Sequence, residues 1–318
     1  MNFIGIDVGK QELVVYDGKR ERTFPNTPTL SELEAFLRNY GEGVTLTFEP
    51  TSTYSRFLEN LCFRKGIPTL RPNPRILPHI REVEEKRSKN DRSDSQLLFL
   101  YGKEKGKGKL LKEDPLSSNI MACLSSYLLI QKHRVGLHNF RESSSYNPLV
   151  SQKVKDNLKQ VEQLLEGKEK EQIDLARKFV LSLEETREQF ELLCTIKGVG
   201  RILALVLLAL FRKYPDASRK EITALVGLDT IEKESGKSVR GKPRISKRGN
   251  SLVRALLYEG TLSAARHNPQ VKEIYQRLKK RGKPEKVART AASHKLLLIA
   301  HAIYRKRVPY DPNWSKRS

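Results

Sequence analysis

The sequence is poor in the residues that build disulfide frameworks, zinc sites and membrane spans. Its 318 residues include only three cysteines, Cys62, Cys123 and Cys194, with no CxxC pair and no histidine-rich neighbour. This spacing argues against a disulfide framework and against a structural zinc site. No segment reaches the roughly 18 apolar residues of a membrane helix, and the N-terminus lacks a secretory signal pattern. We therefore expect a folded protein of the reducing cytoplasm.

Acidic side chains are outnumbered, and the imbalance is concentrated at one end of the chain. The 60 Lys and Arg exceed the 37 Asp and Glu, for a net charge of +23. Residues 236–318 alone hold 22 Lys and Arg against four acids, a net charge of +18. Such a surface neutralises phosphates and releases counterions, which predicts strongly salt-dependent nucleic-acid binding. A merely solubilising face is the plainer alternative, but it does not explain so uneven a distribution.

Aromatic residues are also scarce, at 7% of the chain with a single tryptophan, Trp314. Base stacking then has few partners, so contacts to the sugar-phosphate backbone are expected to dominate. Sequence recognition would in that case be left to a partner nucleic acid.

Interruptions rich in glycine, lysine and proline divide the chain into three predicted domains. Residues 1–112 form an α/β domain that ends in KEKGKGKLLK, an expected hinge or exposed loop. Residues 113–193 form a helical arm, and residues 194–318 form a basic, mostly helical domain. The fold class is therefore α/β plus all-α.

The first domain reads as strands and helices in the order βββαβαβα. Three strands linked by short turns come first, and an amphipathic helix, a buried strand at Val44–Phe48 and two further β and α elements follow. This order suits a ribonuclease H-like (RuvC-like) fold, in which helices flank a hairpin-connected sheet and carboxylates project from the strand ends.

The arm carries apolar residues at coiled-coil spacing. Val154, Leu158, Val161 and Leu165 are separated by four, three and four positions. An antiparallel hairpin that packs on itself and a coiled coil between two chains explain this spacing equally well.

Four acidic residues are candidates for a metal site. Asp7 and Glu49 each end a predicted strand, and Asp91 and Asp94 lie three apart at the start of a predicted helix. Converging carboxylates can hold two magnesium ions for phosphodiester chemistry. Oxygen donors without a histidine or cysteine cluster favour Mg²⁺ or Mn²⁺ over zinc. Each acid taken singly is more simply a helix cap or a solvated charge.

Two shorter motifs have competing explanations. The opening GIDVGK also resembles the first strand and hairpin of actin-like and sugar-kinase ATPases, but no second glycine-rich phosphate loop follows. The segment TIKGVG precedes an apolar helix, as in helix-hairpin-helix modules, so Lys197, Gly198 and Gly200 are candidate phosphate contacts. A plain turn between two helices would have the same letters.

Taken together, the motifs resemble one family. FIGIDVGK, TFEPTSTY, RPNPRILPHI, KNDRSDSQLL, TIKGVG and ESGKSVRGKPRISKRGNSLVRALLY occur in order along nearly the whole chain. They resemble the DEDD-type transposases of bacterial and archaeal insertion sequences, which are related to the Piv DNA invertases and known as bridge-RNA-guided recombinases.

The resemblance implies a catalytic apparatus and its partners. It places an acidic tetrad on Asp7, Glu49, Asp91 and Asp94 and a nucleophilic serine on Ser235. It further implies donor and target double-stranded DNA, a structured guide RNA from the element, and a homodimer or homotetramer whose site combines the acidic domain of one subunit with the serine domain of another. A prokaryotic, nucleoid-associated location follows.

The residues around Ser235 are suited to the chemistry, although spacing alone does not single out this serine. Ser238 and Ser246 would be equally good choices without the family. A serine hydroxyl needs activation and nearby positive charge to attack a phosphate. The basic residues that would contact nucleic acid here are Lys237, Arg240, Lys242, Arg244, Lys247 and Arg248.

The chain departs from the family pattern at two places beside the acids. Pro50, Thr51 and Ser52 follow Glu49 where Ala-Thr-Gly is common, and Ser95 replaces the common alanine after Asp94. The acids themselves are retained.

We therefore predict a magnesium-dependent DNA recombinase that moves its own element, with Ser235 as nucleophile and a bound RNA as guide. One alternative is a RuvC-like junction endonuclease that uses water, or an invertase in which the protein itself reads the DNA. A second is a non-catalytic nucleic-acid-binding protein. The four acids argue against the second, and the ESGKS segment argues against the plain nuclease.

Overall fold

A computed structural model describes most of the chain. It covers residues 2–41, 43–50, 53–73, 94–231, 234–235, 239–240 and 244–313. The chain divides into two compact units, residues 1–113 and residues 114–318. Within the described residues no helix is long and apolar enough to cross a membrane.

The first unit is built on a mixed five-stranded sheet. Its strands are β1 (Asn2–Val8), β2 (Glu12–Tyr16), β3 (Glu21–Pro25), β4 (Val44–Phe48) and β5 (Thr69–Leu70). Their order across the sheet is β3-β2-β1-β4-β5. Strands β1 to β3 pair antiparallel, whereas β4 and β5 run parallel to β1. This mixed sheet is consistent with the predicted ribonuclease H-like domain.

Three helices accompany the sheet in the described residues. They are α1 (Ser31–Leu37), α2 (Arg56–Lys65) and α3 (Asp94–Lys105). The core beneath them combines inward-facing strand residues with helix residues, among them Ile4, Ile6, Leu46, Leu58 and Leu61, all fully buried.

The expected hinge after α3 is partly attached to the sheet. Lys109 forms an isolated β-bridge with Thr69, and each backbone N–H donates to the other carbonyl at 2.9 Å. The loop is therefore hydrogen-bonded to the edge of the sheet at β5.

The second unit is almost entirely helical. Its helices are α4 (Pro115–Ser145), α5 (Gln152–Leu181), α6 (Glu184–Cys194), α7 (Arg201–Lys213), α8 (Arg219–Val226), α9 (Ser251–His267), α10 (Pro269–Lys280) and α11 (Glu285–Lys306). Helix α7 is its centre, because residues 203–211 are all buried. Helices α4 and α5 pack on each other as a hairpin whose base joins the same core.

Two small antiparallel ribbons interrupt this helical unit between α8 and α9. One pairs β6 (Thr230–Ile231) with β9 (Arg244–Ile245), and the other pairs β7 (Glu234–Ser235) with β8 (Val239–Arg240). The sequence analysis did not predict these strands.

The turn before α7 uses glycine for packing. Gly198 has φ +96°, and a Cβ there would lie 2.4 Å from the Cα of Ala264 on α9. The side chain of Asn268, which is fully buried, donates from Nδ2 to the Lys197 carbonyl at 3.2 Å and accepts from the Tyr310 hydroxyl at 2.9 Å. Asn268 thereby joins this turn, the start of α10 and the C-terminal segment.

Candidate active site

Two predicted site residues lie at the carboxyl ends of neighbouring parallel strands, at the same edge of the sheet. In the parallel pairing of β1 with β4, Ile6 lies beside Phe48. Asp7 and Glu49 each follow these partners directly, so the register places their backbones side by side. Both side chains are half-buried. The buried apolar residues that precede them fix the two strands, and the acids begin where the core ends.

A third acid reaches this edge because helix α3 packs unusually close to the sheet. A Cβ on Gly5 would lie 2.0 Å from the Ser95 carbonyl oxygen and 2.4 Å from the Phe99 amide nitrogen. A Cβ on Gly102 would lie 2.4 Å from the Thr47 hydroxyl oxygen. The two glycines therefore let the helix rest on β1 and β4, with Asp94 at its first position.

The Glu49 carboxyl is influenced by the charges of both other acids. Burial raises the pKa of Glu49, and the negative charges of Asp94 and Asp7 raise it further. Carboxylates held together in this way repel each other when ionised, and a bound cation offsets such repulsion.

The fit to a metal ion rests on this donor chemistry. Asp91 lies outside the described residues, and among the residues that are described no group of three or more His, Cys, Asp or Glu side chains could hold a metal ion. The carboxylate oxygens of Asp7, Glu49 and Asp94 are nevertheless the ligands that hard divalent cations prefer. The site therefore suits such an ion in chemistry, although its described side chains are not arranged as a finished cage.

The departure at Ser95 has a structural role. Ser95 is fully buried, and its hydroxyl donates to Glu21 of β3 at 3.0 Å. This bond fastens the first turn of α3 to the sheet, so serine in place of the common alanine adds a polar anchor next to Asp94.

Asn26 is a residue of this site that the sequence analysis missed. Its side-chain Nδ2 donates to the Gly9 carbonyl at 2.8 Å and to the Tyr54 carbonyl at 3.0 Å. It thus connects the turn after the Asp7 strand with the segment that follows Glu49. A single asparagine in a loop has no periodic pattern around it, so only the NTP sequence after β3 hinted at a turn.

Ser235 lies on a β-ribbon in the second unit. It pairs with Val239 and directly precedes the connection to β8. Residues 236–238 and 241–243, which include the predicted contacts Lys237 and Lys242 and the alternative serine Ser238, lie outside the described residues.

The other alternative serine is engaged in a turn. The Ser246 hydroxyl donates to Asp229 at 2.5 Å and accepts from the Arg248 amide at 3.2 Å. These bonds close the loop between α8 and α9.

The predicted basic contacts are exposed wherever their side chains are described. Lys197, Arg244, Lys247 and Arg248 all face solvent. Gly200 is exposed as the N-cap of α7, with open space around it, whereas Gly198 is used for helix packing. For Arg240 the structure gives the backbone strand alone.

Strand order, carboxylates at one edge of the sheet and a basic helical unit are consistent with a ribonuclease H-like enzyme that acts on nucleic-acid phosphodiesters. Residues 4–127 match a transposase family model for the DEDD proteins of IS110 elements. Residues 190–276 match the model described as Transposase IS116/IS110/IS902 family. The pilin gene-inverting protein of Moraxella bovis is 22% identical over 320 residues, covering 97% of this chain and 97% of that protein.

The chain belongs to the DEDD-type IS110 transposases related to the pilin gene-inverting protein, and it is a DNA recombinase. Transposases of this type typically use divalent metal ions, in agreement with the donor chemistry of the acidic edge.

Proposed function

We propose that this recombinase excises and inserts its own insertion sequence by magnesium-dependent strand exchange with Ser235 as the nucleophile. The observation that carries the proposal is the convergence of Asp7, Glu49 and Asp94 at one edge of a ribonuclease H-like sheet. Enzymes with this fold use carboxylates at the edge of the sheet to act on phosphodiesters.

The acidic residues would hold the cation. Asp7, Glu49 and Asp94, together with Asp91, supply carboxylate oxygens for Mg²⁺, or for Mn²⁺ in its place. The ion would stabilise negative charge that develops on the phosphate. Asn26 and Ser95 keep the strand ends and the helix start in place around it.

Ser235 would make and break the DNA backbone. Its hydroxyl loses a proton, its oxygen bonds to phosphorus, and the bond from that phosphorus to one deoxyribose oxygen breaks and leaves a free hydroxyl. The hydroxyl of the exchanged strand then attacks the serine ester and restores Ser235. No phosphodiester energy is lost to water, so the strand can be rejoined without a high-energy cofactor.

The basic residues would bind the backbone of DNA and of an element-encoded guide RNA. Exposed Lys197, Arg244, Lys247 and Arg248, the open N-terminus of α7 at Gly200, and Lys237, Arg240 and Lys242 of the ribbon are the proposed contacts. The protein offers them to phosphates, which all sequences share, and this supports a guide that reads the bases. Such a complex would contain at least two copies of the chain.

Metal binding and recombination test the two halves of the proposal separately. Mg²⁺ should raise the melting temperature of the wild-type protein, since it relieves carboxylate repulsion, and this effect should be absent in Asp7→Asn. Asp7→Asn and Ser235→Ala should both abolish recombination of a donor plasmid, while Ser246→Ala keeps it. Wild-type recombination by Ser235→Ala would refute the covalent mechanism, and an equal Mg²⁺ effect in Asp7→Asn would refute the metal assignment.

DNA inversion read by the protein itself is a second candidate. It is favoured by the similarity to the pilin gene-inverting protein, which extends over 97% of both chains. Expression together with the non-coding flanks of the element, followed by sequencing of the RNA that copurifies, distinguishes the two. One structured RNA from those flanks supports guided recombination, whereas random RNA or none supports the invertase.

A further inference from the structure

A cavity in the second unit combines a basic rim with an aromatic wall. It has a volume of about 350 Å³ and lies between α9, α11 and the segment that ends β9. Ile245 and Tyr258 contribute apolar wall, Lys247 and Lys286 contribute ammonium groups, and Thr290 contributes a hydroxyl. The volume falls in the range of small-ligand pockets, and the mixture of a ring with cations suits an aromatic ligand that carries negative charge.

The aromatic wall is held rigidly. The Arg289 guanidinium carbon lies 3.8 Å from the centroid of the Tyr258 ring, and Arg289 Nη2 donates to the Tyr258 carbonyl at 2.8 Å. Because this stack fixes the ring in advance, a second flat group can pack in the cavity at little cost in side-chain entropy.

The positive charge of the cavity lining is not neutralised by any described acidic residue in that lining. None of the described residues that line it is acidic, and neither Lys247 nor Lys286 forms an ion pair with a described carboxylate. The other two cavities described in this unit differ, since Glu191 lines one and Asp311 the other. Of these three, it is the one whose lining charge is purely positive, which selects an anion.

The cavity lies beside the β6–β9 strand pair, which precedes and follows the segment that carries Ser235. Ile245 in its wall pairs with Thr230, and this β6–β9 pair is the base from which the chain runs out to Ser235 and back. The cavity therefore shares Ile245 with the strand pair at the base of the segment that carries Ser235.

We propose that this cavity binds one unstacked nucleotide of the nucleic acid, with the base against Tyr258 and Ile245 and the adjoining phosphates at Lys247 and Lys286. The inference rests on the proposed function, because it requires that the basic unit binds nucleic acid. It adds that this unit also binds a base and so distinguishes single-stranded from fully stacked substrate.

The test compares strands that differ only in their bases. The full-length protein is titrated, with fluorescence anisotropy as readout, against a short single-stranded DNA, the same DNA with every base replaced by an abasic sugar, and the RNA of the same sequence. Wild type should bind the base-bearing DNA roughly tenfold more tightly than the abasic strand, the loss expected for one stacked base. The RNA arm shows which sugar the cavity prefers.

Two variants locate the preference in the cavity. Ala255 lines the cavity and is exposed, so Ala255→Leu fills the space without disturbing the core. This change should remove the preference for bases and leave affinity for the abasic strand unchanged. Ser263→Leu, on the exposed face of the same helix and away from the cavity, should retain the preference. Lys286→Gln should weaken all strands and lower their salt dependence by about one phosphate contact.

The outcomes separate this inference from the proposed function. If wild type binds both DNA strands equally, or if Ala255→Leu keeps the preference, the nucleotide cavity is wrong while nucleic-acid binding stands. If wild type binds no strand, nucleic-acid binding by the basic unit fails and the cavity proposal falls with it.

Discussion

At the scale of single residues, the candidate active site depends on two glycines, which have no Cβ atom. Asp94 reaches Asp7 and Glu49 only because Gly5 and Gly102 carry no Cβ where α3 crosses the sheet. Phe99 of the same helix packs edge-on against Tyr16 at 5.3 Å and completes the contact. The acidic site is thus positioned by a close helix-to-strand approach.

Gly5→Ala tests this positioning directly. The new methyl group would overlap the backbone of Ser95 and Phe99, so α3 must move away from β1. We expect a loss of about 1–3 kcal/mol in the free energy of unfolding, as for other overpacked cores, together with loss of recombination. Urea unfolding followed by circular dichroism measures the first effect.

Gly136→Ala is the matched control for that experiment. Gly136 lies inside helix α4, is exposed, and has nothing within 4 Å of a built Cβ. The same chemical change should therefore raise stability there, by about 0.5–1 kcal/mol. If both variants behaved alike, the close approach at Gly5 would not be what fixes the helix.

The sequence allowed some of these residues to be predicted and hid others. Asp7 and Glu49 could be found because acids that follow buried strands in a βαβ order must meet at one edge of a sheet. Asn26 could not, because its partners are backbone carbonyls at Gly9 and Tyr54, which any sequence would supply. Ser235 came from family resemblance, since nothing in the local pattern separates it from its neighbours.

At the scale of elements, the long apolar segments were predicted correctly, whereas one short amphipathic helix and the two-residue strands were not. The predicted strand Val44–Phe48 and the apolar helix after TIKGVG appear in the structure, as β4 and α7. Helix α10 was missed although Val271, Ile274, Tyr275 and Leu278 recur at helical spacing, and of these only Val271 is buried. The two ribbons were missed because two-residue strands carry no period at all.

Helix α11 gives the second unit a dependence on pH. Burial lowers the pKa of His301, and the charge of nearby Arg305 lowers it further. His294 on the same helix is shifted in the same direction by burial and by Arg219. Both rings are therefore neutral in the folded protein at a pH where the unfolded chain already binds protons.

Stability should fall as the pH drops below the ordinary histidine value of 6.5 and continue to fall until the folded-state pKa values are passed. Urea midpoints measured between neutral and mildly acidic pH check this. His301→Gln should flatten the dependence, because glutamine does not titrate. A His301→Gln variant that keeps the wild-type slope would contradict the assignment.

At the scale of the whole molecule, the proposed catalytic residues are distributed over the two units. The first unit contains the acidic edge. The second contains Ser235 on strand β7, most of the basic residues and the helical hairpin of α4 and α5. The sequence analysis predicted a boundary after residue 112 and separated the helical arm, residues 113–193, from the basic domain, whereas the structure has both in one compact unit. The sequence left open whether the hairpin packs only on itself or also on a second chain.

The hairpin leaves an apolar stripe uncovered along α5. Val154, Val161, Leu164 and Leu175 are 41–60% exposed, and their spacing of seven, three and eleven keeps them on one face of the helix. Leu158 and Leu165 on the same helix are half-buried. The four exposed residues remain available for contact with a second copy of the chain.

We therefore expect the chain to associate through α5. Replacing Val161 and Leu164 together by glutamate should dissociate the assembly and abolish recombination, because charges cannot be buried in an apolar seam without a partner. Light scattering with and without nucleic acid measures the mass, and circular dichroism should show that the variant keeps its helical fold, because both positions are exposed in the single chain. Gln160→Glu adds a charge beside the stripe and should keep the wild-type mass. A wild-type protein that stays monomeric in both conditions would contradict the association, and the uncovered stripe would then need a different partner.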